Sequence, residues 1–295
     1  MYQNYLIKLL RVKQWYKNFI IFIGLVFGLE LLSPENLIIS ILGFASLCLI
    51  TSSYYIRNDI NDIESDKLHP HKNKRPLAIG KVTISQAYIL FFVILISGFI
   101  LAFILDFWFG ILMVLLFGNT ELYNRFAKKI IFLDVFSIGI NFIIRSISGI
   151  LLINTPISPW IIIGIFFVSL MLGFMKRKTE LITLKTTAKE HRISLKKYNL
   201  KSLNSALIIS AVLVIFTYVL YTITGPFSDG RLIITIPLIA GIVIRQLHLS
   251  KINHKLIQEN DYFKDKITIG LVILYSIILF IILYRFEWIM QLTNF

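Results

Sequence analysis

The sequence predicts an all-α membrane protein, a bundle of about nine transmembrane helices. Of its 295 residues, 57% are hydrophobic and only 16% are charged, which is more apolar than an ordinary soluble domain. A spanning helix needs about 20 mainly apolar residues, and windows of that kind recur along the chain. They lie near residues 18–32, 37–56, 84–104, 107–122, 130–153, 157–175, 204–224, 231–249 and 267–286.

The N-terminal segment, residues 1–17, is basic and amphipathic. We therefore expect it to lie on the membrane surface and to lead into the first span. A cleavable signal peptide is not expected, because the segment does not show the pattern of a short basic region, an apolar core and a small-residue cleavage site. The first span is short, and Pro34 marks its end. The single cysteine, Cys48, excludes disulfides within the chain and is interpreted as a small packing residue.

Basic residues concentrate in the N-terminal segment and in the loops 57–83, 174–203 and 250–266. The positive-inside rule predicts that these regions are cytosolic and that the C-terminus lies outside. We expect the protein to reside in the plasma (inner) membrane. The net charge of +14 then reflects topology and attraction to anionic headgroups of the bilayer. No nucleic-acid module is visible, and residues 1–295 are predicted to form one domain.

A charged cluster follows the second predicted span in "RNDINDIESDKLHPHKNKRP", residues 57–76. Asp59, Asp62 and Asp66 are spaced i, i+3, i+7, so they share one face if the helix continues, and Asn58 can join them. Such oxygens suit Mg²⁺, which leaves coordination positions for phosphate. With Lys72 and Arg75 close behind, the cluster predicts a diphosphate site. A solvated acidic helix end is the alternative.

The fifth predicted span carries Asp134, Asn141 and Arg145, separated by seven and four residues and therefore on one helical stripe. An arginine within the membrane depth has to face the bundle interior or a watery cavity. We expect Arg145 either to line such a cavity or to form a structural ion pair with a neighbouring helix.

"NDINDIESD" followed by "HPHKNKRP" resembles the first signature, N-D-x-x-D-x-x-x-D, of the UbiA superfamily of intramembrane prenyltransferases. The resemblance implies a nine-helix bundle around a cavity that opens to the cytosol and laterally to lipid. The usual second motif of that superfamily, D-x-x-x-D after the sixth span, is replaced here by "LGFMKRKTELITL". A second metal site is therefore not expected, and Lys176 and Arg177 would suit a phosphate group instead.

Three further stretches, "RVKQWYKNFIIF", "YNRFAKKIIFLDVFSIGINFIIRSISG" and "GFMKRKTEL" followed by "RISLKKYN", resemble the decaprenyl-phosphate phosphoribosyltransferase branch. That resemblance implies Mg²⁺-dependent transfer of 5-phosphoribosyl from phosphoribosyl pyrophosphate to a polyprenyl phosphate, releasing pyrophosphate. The chain length of the acceptor is left open. The alternatives are a UbiA-type enzyme that moves a prenyl group onto an aromatic or lipid acceptor, and a transporter, which would need polar clusters at both membrane faces.

On this hypothesis the candidate residues fall into four groups. Asn58, Asp59, Asp62 and Asp66 would hold Mg²⁺, and Asp59, Asp62 and Asp134 are the catalytic candidates. Asp134 would stabilise the ribosyl cation or orient Lys128. Lys176 and Arg177 would bind the acceptor phosphate. The donor phosphates would be bound by Lys17, Asn18, Lys72, Arg75, Tyr123, Lys128 and Arg145.

Overall fold

The computed structural model describes residues 3–68, 72–156, 158–184, 193–226, 229–252 and 265–284. Every regular element in these ranges is helical, which confirms the all-α prediction. The α-helices are α1 Gln3–Leu10, α2 Ile23–Phe27, α3 Pro34–Asn61, α4 Ile63–Leu68, α5 Ile84–Leu105, α6 Phe107–Arg125, α7 Leu133–Leu152, α8 Pro159–Leu184, α9 Leu200–Thr224, α10 Ile236–Ile252 and α11 Lys266–Tyr284. The 3₁₀ segments are Val12–Phe22, Lys72–Lys74, Ala127–Lys129, Ile193–Lys196 and Ile233–Thr235.

Seven helical segments of the described chain are long and apolar enough to cross a membrane. They comprise α3, α5, α7, α8, α9, α11 and the continuous run Ile233–Ile252 that contains α10, and each overlaps a predicted span. The 19-residue α6 occupies another predicted window. Its polar C-terminal end, with Asn119, Glu121 and Asn124, lowers its mean hydropathy.

The predicted first span, near residues 18–32, is not one α-helix. The chain runs as a 3₁₀ helix to Phe22 and then forms only the five-residue α2. Leu29 has a left-handed backbone, with φ of 62°, which is incompatible with a continuing right-handed helix. The prediction of one continuous spanning helix here was wrong. An apolar window indicates that a segment avoids water, but it does not show that the segment is a single helix.

Several long helices begin at polar caps that the sequence supplies. Ser33 accepts a hydrogen bond from the backbone N–H of Asn36, with Pro34 in the first turn. Thr83 and Gln86 form a reciprocal capping box at the start of α5. Asn199 caps α9 through a 2.6 Å bond from the N–H of Ser202. These bonds satisfy backbone donors that have no partner within the first helical turn.

The described chain divides into two compact units. Unit 1 comprises Met1–Glu121 and Ile144–Pro156. Its α3 and α5 pack along their length, and the Ser46 hydroxyl donates to the Gly98 carbonyl at 2.8 Å. Because a serine faces a glycine here, the two backbones approach closely, as small residues allow in membrane helices.

Unit 2 comprises Leu122–Ile143 and Ile157–Phe295. Its core lies along the paired helices α8 and α9 and includes Phe174, Met175, Leu203 and Leu207. Helix α11 packs against α10 and is preceded by Asp265, whose carboxylate accepts a hydrogen bond from the N–H of Thr268 at 2.9 Å. That the two units form one domain over residues 1–295 stays a prediction.

Gly149 allows the closest backbone approach in unit 1. A Cβ atom at this position would lie 1.9 Å from the carbonyl oxygen of Ile21, whereas one at Gly118 would meet nothing within 4 Å. We expect Gly149→Ala to destabilise the protein by about 1–3 kcal/mol through overpacking. Gly118→Ala should be neutral or slightly stabilising, because alanine favours a helix. Thermal unfolding of both variants in detergent tests this, and equal midpoints would contradict the close approach.

Candidate active site

The acidic motif lies where α3 gives way to α4, in unit 1. Helix α3 ends at Asn61, and the N–H of Asp62 still bonds the Asn58 carbonyl at 2.9 Å. Asp62 itself leaves the helical region, with φ of −100° and ψ of 6°. The three aspartates therefore do not share the face of one continuous helix. The break at Asp62 nevertheless brings the carboxylates of Asp59 and Asp66 close together.

Asp59 and Asp66 converge on one nitrogen atom of Arg75. Nη1 of Arg75 lies 3.0 Å from Oδ1 of Asp59 and 2.6 Å from Oδ2 of Asp66. Both aspartates are buried, with 3% and 2% of their side chains exposed. Arg75, predicted to bind donor phosphate, is thus also the cation that offsets two buried carboxylates, which would otherwise repel each other.

Arg11 is a second cation at this site, and it was missed by sequence reasoning. Its guanidinium forms an ion pair with Asp59 and lies over the Tyr55 ring, 5.0 Å from the centroid. Its backbone is left-handed, with φ of 50°, at the joint between α1 and the following 3₁₀ helix. The surrounding "RVKQWYKN" stretch resembles the phosphoribosyltransferase branch, but a contact that spans 48 residues leaves no local signal in the sequence.

Hydrogen bonds to α3 hold the N-terminal segment near this arginine. The Trp15 indole donates to Ser52 Oγ at 2.9 Å, and Ser52 in turn donates to the Leu10 carbonyl at 2.8 Å. The Asn18 amide donates to Thr51 Oγ1 at 3.1 Å and to Cys48 Sγ at 3.3 Å. Asn18, predicted to contact donor phosphate, is therefore buried and joins the segment to α3.

The described residues contain no group of three acidic, histidine or cysteine side chains placed to hold a metal. Mg²⁺ does not require one, since it is commonly bound by one or two carboxylates, with waters and substrate phosphates completing its octahedron. Within the described chain Asp62 forms no ion pair, unlike its two neighbours. Hard oxygen donors beside two cations therefore fit a magnesium–diphosphate ligand.

Helix α3 is also tied to α6 beside the motif. Nη1 of Arg57 lies 3.0 Å from Oε1 of Glu121, and the Tyr54 hydroxyl donates to the Thr120 carbonyl at 3.4 Å. These contacts fix the C-terminal turns of α3, and hence the position of Asp59.

A second polar cluster surrounds Asp134 at the start of α7, in unit 2. Nε of Arg177 donates to Oδ2 at 2.8 Å, and the Tyr198 hydroxyl donates to Oδ1 at 2.7 Å. Ser194 Oγ adds a 3.3 Å bond, and Nη1 of Arg177 lies 2.6 Å from Oε2 of Glu180. Asp134 is 0% exposed and Arg177 is 2% exposed. The cluster joins α7, α8 and the segment before α9 through one carboxylate.

Tyr198 has a fixed protonation state in this cluster. Burial, together with the adjacent charge of Asp134 and the hydrogen bond to it, raises the pKa of the Tyr198 phenol above its usual range. The phenol therefore donates to Asp134 while its oxygen accepts the Phe132 N–H at 2.8 Å. Tyr198 thus anchors the chain before α9 to the chain before α7.

The remaining predicted residues are distributed over both units. Arg145 is half-buried in unit 1 and interacts electrostatically with Tyr55 and Cys48, whereas Asp134, on the same helix, belongs to unit 2. Tyr123 acts electrostatically on Arg177. Lys17 lies over the Tyr16 ring, Lys128 lies in a 3₁₀ turn, and Lys176 is half-buried on α8; the side chain of Lys72 is outside the described structure.

Comparison with known proteins assigns the chain to a family. A family model described as the UbiA prenyltransferase family matches residues 18–263. This chain belongs to the UbiA prenyltransferase family. The acidic motif and the Asp134 cluster both lie within the matched range, and the chain is accordingly a membrane transferase.

Relatives of this UbiA family member include proteins with a more specific name. An uncharacterized protein of Sinorhizobium fredii is 33% identical over 58% of the chain, but the match spans only a third, 33%, of that protein. A decaprenyl-phosphate phosphoribosyltransferase of Mycolicibacterium smegmatis is 29% identical over 77% of this chain and 71% of the relative. One of the same name from Corynebacterium glutamicum is 27% identical over 73% of this chain and 66% of the relative.

Solved structures similar to this UbiA family member share its fold. A UbiA homolog from Archaeoglobus fulgidus, solved with DMAPP and Mg²⁺, has a TM-score of 0.72 at 15% identity and covers 95% of this chain and 99% of its own. A digeranylgeranylglyceryl phosphate synthase structure has a TM-score of 0.68 at 22% identity, covering 96% of this chain and 97% of that one. Identities this low show the fold alone.

Removing the Asp134 carboxylate should destabilise unit 2. Asp134→Asn leaves a buried arginine with reduced compensation, and we expect a loss of about 3–5 kcal/mol. Tyr198→Phe removes one hydrogen bond and exposes the Phe132 N–H as an unpaired donor, so the loss should be about 1–3 kcal/mol. Asp229→Asn, in an exposed loop, serves as the control. In detergent, the unfolding midpoint of Asp134→Asn should be the lowest, that of Tyr198→Phe intermediate and that of the control the highest. An Asp134→Asn midpoint equal to the control's would contradict a stabilising role of the cluster.

Proposed function

We propose that this protein transfers a 5-phosphoribosyl group from phosphoribosyl pyrophosphate to a polyprenyl phosphate, with Mg²⁺ as the cofactor. An oxygen of the lipid phosphate attacks the anomeric carbon as the bond from that carbon to the pyrophosphate oxygen breaks. The bonding electrons leave with pyrophosphate, and the new bond gives a polyprenyl phosphate that carries phosphoribose. The acceptor is already anionic near neutral pH, so little general-base assistance is required.

The observation that carries this proposal is the chemistry at the C-terminal end of α8. Where a D-x-x-x-D motif would supply free carboxylates for a second metal, this chain has Lys176, Arg177 and Lys178. The nearest buried acid on α7, Asp134, is paired with Arg177 at 2.8 Å. An acidic site suits the metal-bound diphosphate of a donor, and a basic site suits the phosphate of an acceptor. Two metal sites would suit this pair of substrates less well. Relatives named decaprenyl-phosphate phosphoribosyltransferase support the same reading.

The donor's pyrophosphate is assigned to the acidic motif. Asn58, Asp59, Asp62 and Asp66 would hold Mg²⁺, which supplies charge neutralisation for the leaving group. Arg75 and Arg11 already lie against Asp59, so they are placed to bind phosphate oxygens beside the metal. The further donor contacts proposed are Lys17, Lys72, Tyr123, Lys128 and Arg145.

The roles of Asp134 and Arg177 are revised in this proposal. Arg177 bonds two carboxylates, so we assign it to positioning, together with Asp134, and leave Lys176 as a contact for the acceptor phosphate. Positioning α8 against α7 replaces the two roles first considered for Asp134, stabilising the ribosyl cation and orienting Lys128.

Under this proposal the reaction takes place at the cytosolic face of the plasma membrane. Phosphoribosyl pyrophosphate is a multiply charged, water-soluble donor and does not cross hydrocarbon. The basic regions predicted to be cytosolic carry most of the proposed donor contacts, and the polyprenyl tail remains in the bilayer.

A competing function is prenyl transfer from a prenyl diphosphate to an aromatic or lipid acceptor. It is favoured by the fold shared with the Archaeoglobus structure that was solved with DMAPP and Mg²⁺. A donor competition distinguishes the two. Purified protein with Mg²⁺ receives polyprenyl phosphate and labelled phosphoribosyl pyrophosphate in one reaction, and an aromatic acid with a prenyl diphosphate in another. We expect a labelled lipid only in the first, abolished by EDTA and restored by Mg²⁺; product only in the second would overturn the proposal.

Asp62 provides the sharpest test of the metal assignment. Asp62→Asn should abolish Mg²⁺-dependent turnover while leaving the unfolding midpoint unchanged, because this carboxylate forms no ion pair in the described chain. Glu64→Gln, an exposed substitution two residues away, should retain activity. Normal turnover by the Asp62 variant at limiting Mg²⁺ would refute its role as a ligand.

A further inference from the structure

Lys178 is a buried cation on α8 and the one residue of that basic stretch to which the proposed reaction assigns no individual role. Its side chain is 7% exposed, and its ammonium nitrogen lies 3.4 Å from Ser250 Oγ on α10. Among the described residues no carboxylate lies within ion-pair distance of it. The preceding residue, Arg177, is also buried but is paired with Asp134 and Glu180. Two adjacent cations on one helix therefore have opposite surroundings.

A second charge that acts on Lys178, among the residues that the structure describes, is also positive. Lys251, adjacent to Ser250 on α10, interacts repulsively with Lys178. Taking a charge out of water is costly unless an opposite charge or several hydrogen bonds compensate for it, and a second cation adds to that cost. One neutral hydroxyl does not balance a buried ammonium.

Asp265, at the start of α11, is an acidic residue of the same unit that is already engaged. Asp265 forms a forked pair with Arg245, at 2.6 and 3.0 Å, and also accepts from Thr268 Oγ1 at 2.8 Å. The hydrogen bonds from Arg245 are the main cause that lowers the pKa of Asp265, so this carboxylate remains ionised and held in place. It is not available to compensate Lys178.

Further buried polar groups lie near Ser250 on α10 and next to Lys178 on α8. Gln246 lies one turn earlier on the same helical face, and its amide nitrogen donates to Thr268 Oγ1 at 3.1 Å. Its carbonyl oxygen is buried and has no hydrogen-bond partner among the described residues. The hydroxyl of Thr179, next to Lys178, is likewise buried and unsatisfied within the described chain. Such unsatisfied groups require an explanation, for example a bound water or ligand.

We propose that Lys178, Ser250 and Lys251 form a binding site for a phosphate monoester. The two ammonium groups match a phosphate that carries nearly two negative charges, and the ligand supplies an anion that Lys178 does not find among the described residues. The Ser250 hydroxyl donates to the Leu247 carbonyl at 2.7 Å and accepts from Lys178, so it holds the Lys178 ammonium group in position. This inference rests on the proposed function, whose two substrates each carry a phosphate monoester. One is the headgroup of the polyprenyl acceptor, and the other is the 5-phosphate of the donor.

The experiment measures equilibrium binding to the purified full-length protein in detergent. Farnesyl phosphate stands for the lipid acceptor, and ribose 5-phosphate stands for the donor's 5-phosphate. Losing one charge-assisted contact should weaken binding of one of the two probes about tenfold or more in Lys178→Gln. Lys201→Gln removes an exposed lysine of the same unit and should bind both as wild type does. The affected probe identifies which substrate occupies the site.

Unchanged dissociation constants for both probes in a folded Lys178→Gln variant would overturn the proposal, as would wild-type protein that binds neither. If that variant does not fold, Ser250→Ala and Lys251→Gln replace it, and unchanged binding by both has the same meaning. The outcome is separable from the reaction. Protein that binds farnesyl phosphate through Lys178 but transfers nothing from phosphoribosyl pyrophosphate keeps this site and loses the proposed function. Active protein whose substrate binding does not change on substitution of Lys178 keeps the proposed function and loses this site.

Discussion

Pairing of buried carboxylates with arginine is the constraint on which the polar part of this structure depends. At the ends of apolar helices a carboxylate cannot rely on water, so its position is set by where a cation can reach it. Arg75 meets both Asp59 and Asp66, and Arg177 meets Asp134. Each pair ties a helix to a neighbouring element, so the same interaction neutralises charge and fixes geometry.

Such pairs specify arrangement more than they add stability, because desolvating both ions consumes much of the attraction between them. Arginine suits this task, since its fork donates to two partners from one fixed plane. Arg177 bonds Asp134 and Glu180 at once, whereas the neighbouring Lys178 has a serine hydroxyl as its hydrogen-bond partner among the described residues. The helical rotation of about 100° per residue turns the two side chains toward different neighbours, so Arg177 is held by two carboxylates and Lys178 is the residue that we propose binds an anion.

The N-terminal segment shows how a membrane-surface element can contribute to a site. The segment is not one continuous spanning helix, and hydrogen bonds from Trp15 and Asn18 to α3 hold it in place. The left-handed backbone at Arg11 then directs the chain so that this arginine reaches Asp59. A strained residue of this kind persists only where surrounding contacts hold it.

The sequence by itself determined the all-α membrane class, the approximate position of most spans and the acidic motif, because hydropathy and charge act locally and their periods are visible in a single chain. Only the tertiary structure decided that the helix breaks at Asp62, that Arg11 joins Asp59 across 48 residues and that Asp134 is paired with Arg177. The physical reason is distance along the chain. A cation's partner depends on how helices pack, and no local pattern distinguishes Arg177, which pairs with carboxylates, from Lys178, which pairs with none of the carboxylates that the structure describes.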